Sequence, residues 1–199
     1  MKTALLILAA GESKRMNGIK QLLPWKNTSL LGHAIAQALQ AKASQVYVVL
    51  GANANTIAPT LAHCNIQIIE NKNWKNGLGS SIAVGVQYIK ETQEPYDAIL
   101  ITLADQPLID AAYYNQLIAA YTEKKAKIIA SQTNNKPCVP AMFDAQYFNQ
   151  LSLLNQDQGA KEILVTAQKE VYRLPATANL IDLDTPSDYE QLFNNFGKE

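Results

Sequence analysis

The most constraining feature of this chain is a rhythm. Short runs rich in Val, Ile and Leu, at residues 4–9, 46–50, 66–69, 98–103 and 127–130, alternate with stretches of helical period. The runs are apolar at successive positions rather than at every second one, so both faces of each strand need cover, as in a parallel sheet between helices. The intervening stretches supply that cover. Leu30, Leu31, Ala34, Ile35, Ala38 and Leu39 form one apolar stripe, Ile82, Val86 and Ile89 a second, and Tyr114, Leu117, Ile118 and Tyr121 a third. Such alternation, with right-handed crossovers, predicts an α/β fold: a doubly wound, mostly parallel sheet with helices on both faces.

After Ser131 the rhythm changes. Residues 134–137 mark a turn before a strand over 138–143, and helices are expected over 145–154 and 159–168. Strands over 170–174 and 180–183 follow, then a last helix over 186–193. That helix has Thr185 as N-cap, Pro186 at its first position and Asp188 three residues past the cap, which assigns Asp188 to capping rather than chemistry. With 199 residues and no linker or repeat, the chain is expected to be one domain.

Seventeen basic and seventeen acidic residues cancel, so no global field is available to gather nucleic acid or an anionic membrane, and neither is expected as a partner. The first apolar run is too short to span a bilayer and is followed by charged residues, which favours a buried strand. Cys64 and Cys138 lie outside any metal-ligand spacing. These features suit a cytoplasmic protein.

Ligands of open α/β sheets bind outside the carboxyl ends of the strands, which directs attention to the loops there. The loop after the first run, Gly11 to Lys20, joins small residues to the cations Lys14, Arg15 and Lys20. On composition it is equally a phosphate cradle or an ordinary basic turn, and its glycine spacing fits neither a P-loop nor a dinucleotide fingerprint. A second loop carries Gly77, Gly79, Ser80 and Ser81, which suit a nucleobase edge or simply a helix capped by the serines. A third ends the fourth strand with Asp105 before Pro107, as a Mg2+ ligand or as the N-cap of the next helix.

The string LAAGESKRMNGIKQLLPW resembles the signature of the MobA-like NTP transferases, LAAGxSxRMGxxKxLLPW. The family's second glycine is replaced by Asn17, with Gly18 one place late. Trp74, Gly77, Ser80 and Ser81 match the family's WxxGxxSS base-recognition loop; LADQP, with Asp105, is its metal-binding string unaltered. Asp182-Leu183-Asp184-Thr185-Pro186-Ser187-Asp188 is similar to its DIDTPxD. Gln156-Asp157-Gln158-Gly159-Ala160-Lys161 resembles the GDxGAR of the molybdenum cofactor cytidylyltransferase group, with Lys for Arg. That group's Gly-His-Pro is Cys138-Val139-Pro140 here.

The resemblance implies a Rossmann-like nucleotidyltransferase fold, with a nucleotide-binding half at about 1–108 and an acceptor-binding half at about 109–199. It implies transfer of CMP from CTP to molybdopterin, giving molybdopterin cytosine dinucleotide and pyrophosphate, with Mg2+ as cofactor. Ala9, Ala10, Gly11, Ser13, Arg15, Lys20, Gly79, Ser80 and Ser81 would bind the nucleotide; Arg15, Lys20 and Asp105 would be catalytic. Asp105 and Asp184 would hold the metal, with Asp182 as supporting or alternative ligand, and Asp157, Lys161 and Asp182 would meet the acceptor. A molybdenum hydroxylase is the implied transient protein partner. The guanylyl branch reads LAGG where this chain has Ala9-Ala10-Gly11, and the Ala10 methyl closes space a purine would use.

Phosphate-monoester attack needs no general base, because the second pKa of such a nucleophile is about 6. This suits a chain with two histidines, His33 and His63, both outside these loops. Both cysteines, Trp25 and Trp74 are expected to pack; Tyr113 and Tyr114 receive no role. Two alternatives stay open: nucleotidyl transfer to a sugar phosphate or other phosphorylated alcohol, and a non-catalytic carrier of molybdenum cofactor to a hydroxylase.

Overall fold

A computed structural model of the chain describes every residue except Asn17, Glu94, Gln156, residues 177–179 and Glu199. The expected effect of Asn17 on the first loop, and of Gln156 in the later segment, therefore lies outside the described residues.

In chain order the elements are β1 (Thr3–Ala9), a helical turn (Lys20–Leu22), the short hairpin β2 (Pro24–Trp25) and β3 (Thr28–Ser29), α1 (Leu30–Gln40), β4 (Gln45–Leu50), α2 (Ala54–Ile57), β5 (Gln67–Glu70), α3 (Leu78–Glu91), β6 (Ala98–Leu103) and α4 (Ala111–Lys124). There follow β7 (Ile128–Thr133), β8 (Lys136–Asp144), α5 (Phe148–Leu151), α6 (Lys161–Thr166), β9 (Val171–Pro175) and α7 (Pro186–Leu192). Seven strands form one sheet in the order β5-β4-β1-β6-β8-β7-β9. All neighbours pair in parallel except β8, which runs antiparallel between β6 and β7. The chain leaves β1 toward β4 and β5, then returns to β6 on the other side. The strand order thus reverses between β1 and β6, and a crevice opens at their carboxyl ends.

The continuous apolar runs are explained by period-two alternation into two cores. Leu5, Ile7 and Ala9 of β1 meet α1 and α4 on one face, while Ala4, Leu6 and Leu8 meet α3 and α6 on the other. All seven residues of β1 are buried. At 2–5 kcal/mol for a typical buried Leu→Ala change, this central strand is among the least replaceable elements.

Three expectations are corrected. The turn at 134–137 is tighter than anticipated: Asn134 and Asn135 both have positive φ, 48° and 60°, as a two-residue hairpin turn requires, and β8 already begins at Lys136. The helices over 145–154 and 159–168 shrink to a turn at Ala145–Tyr147 plus α5, and to α6. Beyond α5, Leu153 is 79% exposed, so no further apolar face asks for helix.

Residues 180–183 form no strand. Leu183 instead gives its N–H to the Asp105 carbonyl at 2.9 Å, and its side chain is fully buried with Trp25, Leu30 and Leu192. The C-terminal segment is fastened beside it: Tyr189 donates to the Pro24 carbonyl at 2.8 Å and the Lys26 N–H to that of Gly197 at 2.6 Å. The start of α7 is as expected, with Thr185 and Asp188 forming a capping box.

Candidate active site

The crevice at the carboxyl ends of β1 and β6 is a cleft of about 1180 Å³. Ala10, Gly11, Ser13, Arg15 and Lys20 line it from the first loop, Gly77 and Ser81 from the second, and Asp105 from the third. Asp157, Asp182 and Asp184 complete it from the far end of the chain. Four predicted residues stand elsewhere. Ala9 ends β1 and lines a small recess behind the loop. Gly79 is buried inside the first turn of α3, Ser80 turns its hydroxyl to the Gly77 carbonyl at 2.8 Å, and Lys161 is exposed at the start of α6, off the cleft wall.

Lys20 is the hub. Its ammonium lies 2.7 Å from Asp105 Oδ2, 2.7 Å from the Leu183 carbonyl and 3.7 Å from Asp184 Oδ1, while Arg15 reaches Asp184 Oδ2 at 3.0 Å. Lys20 is sheltered, with a side chain 15% exposed, whereas Arg15, at 68%, pairs with Asp184 from the solvent side. Asp105 is no helix cap; α4 is capped by Asp110. Asp182 and Asp184 enter the cleft from either side of the Leu183 anchor, without the strand ladder expected for them. Burial, followed by the negative charges of Asp105 and Asp184, pushes the Asp182 carboxyl above its usual value, against the pull of the Gln106 amide and Lys20.

The second loop corrects the capping expectation. Gly77, at φ 91°, is the N-cap of α3 and makes no side-chain cap bond; Ser80 and Ser81 sit within the first turn. Both hydroxyls accept from the Asn71 amide, at 2.9 and 3.0 Å, and Asn71 Oδ1 accepts from the Asn73 N–H at 2.9 Å. Gly77 lacks a side chain for a local reason: a Cβ there would collide with Asp157. Gly51 serves the same end, since a Cβ would come within 2.6 Å of the Ala10 carbonyl and 2.7 Å of Trp74 Cβ. Trp74 therefore packs as expected and also forms part of the cleft wall, with the Lys75 ammonium 5.5 Å from its ring centre.

The MobA-like NTP transferase domain matches residues 5–171, most of the chain. The chain belongs to the MobA-like NTP transferase family. It is thereby a nucleotidyltransferase by class. Among relatives, the transferase is 29% identical to nicotine blue oxidoreductase of Paenarthrobacter nicotinovorans, over 94% of this chain and 90% of that one. It is 28% identical to purine catabolism protein PucB of Bacillus subtilis, over 94% of each. Identity to the molybdenum cofactor cytidylyltransferase of Escherichia coli is 24%, over 92% of each. In fold it is similar to Rv0371c from Mycobacterium tuberculosis, with TM-score 0.84, 24% identity and 97% of each chain covered. A manganese complex of that protein gives TM-score 0.80 at 23% identity, covering 97% and 98%. A nucleotidyl transferase from Methanothermobacter gives 0.83 at 18% identity, covering 98% and 97%.

In this transferase the residues that sequence reasoning missed are polar and buried. Gln106, 6% exposed, donates to Asp182 Oδ1 at 2.8 Å, and Asn71, 3% exposed, orders the second loop. Gln21 backs the first loop. The signal available in the sequence was an amide beside a motif residue. Asp188 does more than cap: its carboxylate also accepts from the Asp184 N–H at 3.3 Å.

Of the cleft's charged residues, Lys14, Arg15, Lys20 and Lys75 are outnumbered by Glu12 and the four aspartates, so the wall does not by itself neutralise a triphosphate. Asp105 Oδ1 is buried without a hydrogen-bond partner among the described residues, and the Asp105 and Asp184 carboxylates share Lys20. An all-oxygen pair of this kind fits a hard divalent cation that draws its remaining ligands from phosphate and water.

Proposed function

We propose that this chain is a molybdenum cofactor cytidylyltransferase, moving CMP from CTP to the phosphate of molybdopterin with release of pyrophosphate. The observation that carries the transfer chemistry is Lys20, held within 2.7 Å of Asp105 at the junction of the first loop, the third loop and the C-terminal segment. The acceptor's phosphate oxygen attacks the α-phosphorus of CTP, the bond from that phosphorus to the bridging oxygen breaks, and pyrophosphate leaves with the electron pair. At neutral pH the attacking phosphate is already largely deprotonated, so no residue need act as base.

Lys20 and Arg15 then stabilise charge that builds on the α-phosphoryl oxygens and the leaving group. Asp105 and Asp184 would hold Mg2+, which when bound supplies further charge neutralisation between the phosphates. Ala10, Gly11, Ser13 and Ser81 would contact the nucleotide, while Asp157 and Asp182 face the acceptor. The division into a nucleotide half, about 1–108, and an acceptor half, about 109–199, belongs to the same reading, with Lys20–Leu183 and Gly77–Asp157 as contacts between them.

Support for cytosine comes from the relative named for that activity and from Ala10, which lines the cleft where the guanylyl branch carries glycine. A second reading, a carrier of molybdenum cofactor to a hydroxylase, stands beside it because the relatives of higher identity bear names other than cytidylyltransferase. Pyrophosphate release separates the two. Purified protein with molybdopterin, Mg2+ and CTP, GTP, ATP or UTP in turn should release pyrophosphate fastest from CTP. Equal rates from GTP would remove the cytidylyl assignment, and tight cofactor binding with no release would favour the carrier.

A further inference from the structure

Gln21 follows Lys20 in the helical turn Lys20–Leu22 and is only 5% exposed. The signature LAAGxSxRMGxxKxLLPW leaves its position open. Its amide is engaged on three sides: Nε2 donates to the Ala9 carbonyl at 2.9 Å and to the Gly11 carbonyl at 3.0 Å, and Oε1 accepts from the Ser13 hydroxyl at 3.2 Å. The Ser13 hydroxyl oxygen accepts in turn from the Lys20 N–H at 3.2 Å. Ser13 has φ 61°, a left-handed conformation that a serine keeps where neighbours impose it, and Gln21 and Lys20 are the neighbours bonded to its hydroxyl.

A trans peptide puts its carbonyl and its N–H on opposite sides. With the Ala9 and Gly11 carbonyls drawn back to Gln21, the N–H groups of Ala10 and Glu12 are turned away from it, and Ala10, Gly11 and Glu12 line the cleft. Only a side-chain amide of this length donates twice and accepts once here. Glu would set oxygens against two carbonyls, and Met would take the amide donor from both.

We propose that Gln21 is the positioning residue of the first loop, presetting the Ala10 and Glu12 N–H groups to bond the phosphates of the incoming nucleotide. This rests on the nucleotidyl-transfer reading of the cleft. Gln21 does not touch the substrate; it acts through the backbone it holds.

Amide hydrogen exchange on the unaltered protein tests this without a variant. The Glu12 amide should exchange fast in the free protein, slow at least tenfold with saturating CTP and Mg2+, and stay fast with cytidine, which has the base and no phosphate. Gln21→Glu and Gln21→Met should weaken CTP binding at least tenfold while leaving cytidine binding unchanged, and should raise the KM for CTP more than they lower kcat. A purely structural role would lower Tm without changing the ratio of cytidine to CTP affinity, and that result overturns the proposal. So does CTP that protects the 74–81 segment while Glu12 stays fast. If neither CTP, GTP, ATP nor UTP binds the unaltered protein, it is the nucleotide reading that fails instead.

Discussion

Lys20 meets its counter-charges before any substrate arrives. Asp105 lies 2.7 Å away and Asp184 3.7 Å away, while Arg15 holds the other Asp184 oxygen at 3.0 Å. On the proposed function, nucleotide entry is an exchange of partners, phosphate for carboxylate at the cations. Asp184→Asn should raise CTP affinity in the presence of a chelator, because Arg15 is released, while pyrophosphate release with Mg2+ falls roughly 10²-fold. Calorimetry of CTP binding in EDTA checks the first half, and weaker binding would exclude the exchange. Asp105→Asn keeps the shape of a side chain outside the core, so turnover should drop by roughly 10² to 10³ with Tm nearly unchanged; wild-type turnover at saturating Mg2+ would remove Asp105 from the chemistry. Ala10→Gly tests the proposed base pocket. One methyl is worth roughly 1–3 kcal/mol of discrimination, so the CTP-to-GTP ratio of kcat/KM should fall by about tenfold or more without loss of activity. These residues were legible because each sits in a dense motif of charged or small residues. Gln21, Asn71 and Gln106 were not, since a buried amide differs from an exposed one only through partners that the local sequence does not name.

Elements followed their patterns where the pattern was long and its partner generic. The strands over residues 3–9 and 98–103 need only apolar cover on both faces, and any amphipathic helix supplies it. Residues 180–183 depart from the strand pattern because an apolar run looks the same whether its backbone pairs with a strand or with a loop carbonyl, and here Leu183 bonds Asp105. The helix that follows was readable, since its cap is written in consecutive residues. Thr185→Ala removes the acceptor of the Asp188 N–H at 3.2 Å and should cost about 0.5–2 kcal/mol. At roughly 2–4 °C per kcal/mol for a chain of this size, Tm should fall by about 1–8 °C in a thermal melt. Turnover should fall as well, because Asp188, less firmly placed once its N–H loses that acceptor, also holds the Asp184 N–H with its carboxylate. A variant with unchanged Tm would mean that α7 is held by the Trp25 cluster alone.

The molecule as a whole sets the cleft at one end of its strands and a separate charged cluster at the other. At the end away from the cleft, Asp144 closes β8 and accepts from the Tyr121 hydroxyl at 2.7 Å, Lys127 at 3.1 Å and the Gln146 N–H at 3.1 Å. Burial alone would raise this carboxyl, but those donors outweigh it and hold it below its usual value. A depressed carboxylate contributes stability that is complete above its unfolded pKa, about 3.9, and is lost as pH falls through the folded one. Asp144→Asn should thus cost roughly 1–3 kcal/mol at neutral pH, with the two melting curves converging below about pH 4 and turnover at pH 7 little changed. A constant difference in Tm down to pH 2 would exclude the linkage. By itself the sequence determined the α/β class and the order of the three loops, because apolar period is a local property and successive loops of a doubly wound sheet open at the same edge. The partners inside the cleft were decided by tertiary structure alone. Lys20 meets Asp105 across 85 positions and Leu183 across 163, and Asp157 closes on Gly77. Those meetings depend on the packing of Leu183 with Trp25 and on the sheet order that sets β1 beside β6, neither of which is encoded in local periodicity.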